Sequence, residues 1–147
     1  MIELAHQGLF AERWLVPWVA DKELARSPTG LGGLTYTRPE RLMDETIDFY
    51  LAPLIASPRR KQLTDAFAIA LEKNPLAGIE ASLGRSKIPL RVVWGTGDTT
   101  FSAASPDYLA KTFGNVNGVR RVEGAKLFWP EEFPEIIAKE AMRLWES

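Results

Sequence analysis

The stretch that most constrains this chain is residues 88–98, IPLRVVWGTGD. A proline opens it, Leu90, Val92, Val93 and Trp94 make it apolar, and Gly95 and Gly97 break it, which predicts a short buried strand ending in a sharp turn. The turn delivers Asp98. In an open α/β sheet, ligands and catalytic groups gather beyond the carboxyl ends of the strands, so an acid just past a strand end is a candidate site residue. The competing reading is that its carboxylate only caps its own loop. A second strand-like run, VRRV at 119–122, leads into GAKLFWPEEFPEII and a long helix.

Together these segments resemble the C-terminal part of the α/β-hydrolase fold, in the lid-bearing branch of haloalkane dehalogenases, epoxide hydrolases and related esterases. There a proline-led strand ends in a Gly-x-x-Asp turn, matched by Gly95 to Asp98, which carries the triad acid. A helix and another strand follow, then a segment like Gly-Ala-Gly-His-Phe with a glutamate and a proline beyond it, whose histidine is the catalytic base. Gly124, Ala125, Phe128, Glu132 and Pro134 match, and the histidine position falls on Leu127. The resemblance implies a partial α/β-hydrolase fold, a helical lid over residues 1–85 followed by a core segment over residues 86–147. In that segment the last two strands form a small parallel sheet with flanking helices. It also implies that the family's first six strands, with nucleophile and oxyanion hole, are not encoded in these 147 residues.

Leucine has neither a lone pair nor a proton to transfer, so Leu127 cannot act as the general base. The only histidine, His6, lies outside the motif. No Gly-x-Ser-x-Gly or Gly-x-Asp-x-Gly occurs; the nearest run, Gly84-Arg-Ser86-Lys-Ile88, lacks the second glycine that a strained nucleophile elbow requires. Asp98 is therefore the single catalytic candidate.

Charged residues make up 25% of the chain and acids nearly cancel bases, so neither a basic nucleic-acid patch nor an acidic tail is expected. Without cysteine there is no disulfide or thiolate cluster, and with one histidine and no ligand-spaced carboxylate loop, no metal or cofactor is expected. No apolar run is long enough to span a bilayer and no signal peptide is evident, which predicts a cytoplasmic protein without membrane association.

Residues 4–24 carry Leu9, Phe10, Trp14, Leu15, Trp18 and Val19 at helical spacing, with Pro17 expected to kink or split the helix. SPTGLGG at 27–33 reads as a loop; without a Walker lysine or a preceding strand it is no phosphate cradle. Thr37-Arg-Pro39 opens a helix bearing Leu42, Met43, Ile47, Tyr50, Leu51 and Leu54. Ser57-Pro58 starts another, which bears Leu63, Phe67 and Leu71 and has Asn74-Pro75 as its stop. A short helix over 76–83 follows. The charges Asp44, Glu45, Arg59, Arg60 and Lys61 read as solvated faces. Beyond Asp98, Ser105-Pro106-Asp107 starts a helix that buries Tyr108, Leu109 and Phe113 until Gly114-Asn115 ends it. Residues 130–146 form the last helix, with Phe133, Ile136, Ile137, Met142 and Trp145 facing the sheet.

Three functional classes are compatible with this pattern. The chain completes or descends from a hydrolase of small esters, epoxides or haloalkanes and is inactive alone; or it is a non-catalytic ligand-binding or interaction module; or it is a gene fragment without selected activity. An uncovered inner edge on the strand at 90–94 predicts a homodimer or pairing with a complementary hydrolase half.

Overall fold

The computed structural model describes residues 1–72 and 77–146 and is mixed α/β, mostly helical with one two-stranded parallel sheet. It divides into two units: Met1–Gly33 with Arg38–Pro75, and Leu34–Thr37 with Leu76–Ser147. Asn74 and Pro75, expected to stop a helix, and Leu76, expected to start one, lie outside the described residues.

The first unit is helical. Helix α1, Ile2–His6, closes at Gly8, whose φ of +70° lets its N–H donate to Ala5 O (2.9 Å) while Leu9 N–H donates to Leu4 O (2.8 Å). A π-helical turn, Ala11–Leu15, then runs directly into α2, Val16–Ala20. Pro17 sits in the first turn of α2, and the wider π turn before it accommodates the missing N–H and the bulk of the ring. The chain therefore does not split at Pro17. It breaks at Asp21, which is extended and accepts from the N–H groups of Glu23 and Leu24 (both 3.0 Å) to start α3, Lys22–Arg26.

Part of the expected loop at 27–33 is helical instead: α4 spans Leu31–Thr35 and crosses the division between the units. A 3₁₀ turn, Pro39–Arg41, precedes α5, Asp44–Ile55, so Thr37-Arg-Pro39 opens a separate turn rather than the helix itself. Helix α6, Pro58–Ala70, starts as expected, with Ser57 Oγ accepting from Arg60 N–H (3.2 Å). Leu15, Trp18, Leu42, Ile47 and Leu51 form the core. Leu63, Phe67 and Leu71 are exposed, and Thr64, Asp65 and Ala68 are buried. Asp65 takes this place because its carboxylate accepts from Ala11 N–H (3.0 Å), one of the donors that a helix start leaves unpaired.

In the second unit α7, Glu80–Arg85, precedes β1, Leu90–Gly95; α8, Ser105–Thr112, crosses over to β2, Val116–Val122. The strands are parallel, with Val92 opposite Val119 and Gly95 opposite Val122. Strand β2 starts three residues earlier than expected and contains a bulge. Between the Leu90–Val116 and Val92–Val119 pairs it carries one extra residue, and Gly118, at φ +87°, makes the turn. Arg91 holds this bulge: its guanidinium donates to Asn117 O and, through Nε, to Glu140 Oε2 (2.7 Å).

The last helix is two. Helix α9, Trp129–Glu132, ends before α10, Pro134–Trp145, because Pro134 has no N–H to continue the ladder. Val122, Ala125 and Trp129 make the core of this unit, with Val93, Phe133 and Ile136 packed on it. Of the apolar residues expected to face the sheet, Ile137, Met142 and Trp145 are exposed, and Glu140 is buried in their place by its bond to Arg91. Tyr108 is likewise exposed, and Pro106 is the fully buried residue of α8. Among the described residues no helix is long and apolar enough to cross a membrane.

Candidate functional site

The turn after β1 is built by close backbone approach. A Cβ on Gly95 would strike the carbonyl of Ala125, and one on Gly97 that of Gly124, so the turn lies flat on the segment leaving β2. Hydrogen bonds tie the two together: Thr96 N–H donates to Val122 O (2.9 Å), Gly97 N–H to Ala125 O (2.9 Å) and Gly124 N–H to Thr96 Oγ1 (2.8 Å). The sequence stretch 88–98 and the segment beginning GAKLF are thus one structural feature.

Asp98 follows this turn, and its Oδ1 accepts from Thr100 N–H (2.7 Å). This is the loop-capping bond that the sequence offered as the plain alternative. The same residue also lines a pocket of about 310 Å³ with Val93, Trp94, Gly95, Phe101, Lys126, Leu127 and Trp129. Trp94 and Phe101 meet edge to face, with ring centroids 6.5 Å apart. Asp98 and Leu127, the acid and base positions of the resembled motif, therefore share one pocket although 29 residues separate them. Its lining holds no hydroxyl, thiol or imidazole, so it supplies a carboxylate, an ammonium and apolar walls but no triad nucleophile or base. His6 belongs to the other unit, where its Nε2 lies 2.9 Å from Glu72 Oε1.

The pocket's far wall is held by residues the sequence left unassigned. Phe128 N–H donates to Thr35 O (2.8 Å), Lys126 N–H to Thr37 Oγ1 (3.3 Å), and Thr37 N–H to Glu132 Oε2 (2.8 Å). Tyr36 is buried, donates to Glu131 Oε2 (2.5 Å) and stands edge-on to Phe128 at 5.4 Å. Phe128 and Glu132, noted only as motif matches, thus brace the loop that carries Leu127. Pairing across some 90 residues has no local signature that would reveal it. Among the described residues no group of three or more histidine, aspartate or glutamate side chains is placed to hold a metal. Comparison with known proteins returns no matching family model, curated protein or solved structure.

Proposed function

We propose that the chain is an α/β-hydrolase-like unit, corresponding to the helical lid and last two core strands, with Asp98 at the acid position and Leu127 in place of the base. One observation carries this reading: Asp98 and Leu127 line a single pocket at the carboxyl end of a parallel strand pair. The unit is inactive by itself. Acting on a small ester, epoxide or haloalkane requires a second polypeptide or segment that supplies an elbow nucleophile and a base. That partner, or a second copy of this chain, extends the sheet at the edge of β1 away from β2, where no described strand pairs. In this reading the protein works in the cytoplasm without membrane or nucleic-acid partners.

A panel of chromogenic esters tests the first part. The chain should show no turnover, since loss of triad members typically costs on the order of 10⁴-fold or more. Leu127→His should not restore it, because the new imidazole has nothing to deprotonate. Turnover by either protein alone, abolished by Asp98→Asn, would overturn the proposal. Adding a nucleophile-bearing N-terminal half from a related hydrolase to the Leu127→His variant is the arm in which activity is expected.

The aromatic and apolar walls around Asp98 favour a second reading, a non-catalytic pocket for a small ligand. Saturable quenching of tryptophan fluorescence by an aromatic amine, lost in Leu127→Arg while esterase activity stays absent with any added half, would select it.

A further inference from the structure

We propose that the groove along α6 in the first unit binds an amphiphile with a carboxylate head and an unbranched apolar tail, the fatty-acid class. Arg60, Leu63, Thr64, Phe67, Ala68 and Leu71 recur three and four residues apart and share one face of the helix and its end. Such a stripe normally turns into a core. Here Leu63 is 45%, Phe67 68% and Leu71 53% exposed. Together with Phe10 just before the π turn, Leu15 at its end and Leu54 from α5, they line a concave groove of about 350 Å³. That volume falls in the range of small-molecule sites, roughly 300–1,000 Å³, and contiguous exposed apolar surface of this kind marks interaction sites.

Charge selects the occupant. Arg60 is the only charged side chain among the described lining residues, which also include Met1, and it stands at the end of the groove nearest the α6 N-terminus. Its neighbour Lys61 is paired with Glu12 (2.6 Å), whereas Arg60 forms no ion pair among the described residues. The guanidinium offers two parallel donors to a carboxylate, and the positive end of the α6 dipole adds to the attraction. From Arg60 to Leu71 the helical rise is about 16 Å, long enough to lay an extended alkyl chain against Leu63, Phe67 and Leu71. A cation at one end and apolar wall along the rest match the head and tail of a single small molecule. The groove lies wholly within the first unit, so this inference stands or falls independently of the hydrolase reading.

Isothermal titration of the full chain with decanoate, 1-decanol and decyltrimethylammonium, each kept below micelle formation, tests it. Decanoate should bind one to one and about tenfold tighter than decanol, with the cation weakest. Arg60→Gln should bring decanoate to the level of decanol without changing decanol, and Phe67→Glu should abolish decanoate binding. Both positions are exposed, and circular dichroism should confirm an unchanged fold. Equal binding of the three probes, uptake of many molecules per chain, or affinities indifferent to both substitutions would overturn the proposal. So would a concentration-dependent dimer, removed by Phe67→Glu, in a protein that takes up no decanoate, because a second copy would then fill the groove.

Discussion

Arg91 and Glu140 form the most buried charged pair among the described residues. Their side chains are only 15% and 7% exposed, and the guanidinium also satisfies the carbonyl of Asn117 at the β2 bulge. Removing Glu140 leaves the Arg91 guanidinium buried without a carboxylate, which typically costs about 3–5 kcal/mol, whereas Glu140 also has Arg143 Nη1 within 3.9 Å. Glu140→Leu should therefore lower stability sharply in urea unfolding. The double change Arg91→Met with Glu140→Leu should recover much of the loss, since apolar residues of similar size fill the same space. If the double variant is less stable than either single one, the pair is not isolated in this way. Gly118 belongs to the same cluster. Gly118→Ala forces a side chain into a left-handed conformation against the Arg91 guanidinium, and should cost about 1–2 kcal/mol in the same assay.

Helix α6 has an inverted amphipathic pattern, and this can be tested as an element. Its apolar residues face the groove while Asp65 points inward to the N–H of Ala11. Phe67→Ser, at a position 68% exposed, should change stability by no more than about 0.5 kcal/mol. Asp65→Ala strands a buried backbone donor and should cost about 1–3 kcal/mol. The opposite ranking in thermal or urea unfolding would mean that Phe67 is the core residue its spacing suggests. The N-cap of the element was legible: Ser57 does accept the N–H of Arg60. Its facing was not, because helical periodicity locates a stripe on a cylinder without saying which side meets the rest of the unit.

For the whole molecule, the open question is the edge of β1. Leu90 N–H donates to Asn115 O and Thr96 N–H to Val122 O, so residues of even number along the strand direct their backbone at β2. Val92 belongs to that set and Val93 to the outward one. Val92→Pro therefore breaks the sheet within one chain and should destabilise the monomer. Val93→Pro removes an outward N–H and should weaken association, if a second strand pairs there. Light scattering over a dilution series separates the two. A monomer at every concentration, for the natural chain and Val93→Pro alike, would mean that β1 recruits no partner strand.

Local chemistry by itself determined β1 with its turn and several helix starts. The proline-led apolar run at 88–98 became β1 and its turn, Ser57-Pro58 became a helix start, and Pro134 cut the last helix where a missing N–H must. Local sequence also placed Asp98 past a strand end, because glycines at 95 and 97 leave few other paths for the backbone. Tertiary structure alone decided the rest. It brought Leu127 beside Asp98, set Tyr36 and Thr37 against Glu131 and Glu132, buried Glu140 in place of Trp145, and turned the apolar stripe of α6 outward. The reason is common to all four. Each depends on a partner tens of residues away, and a side chain's surroundings follow from which distant groups can satisfy its charge or hydrogen bonds rather than from its own hydropathy.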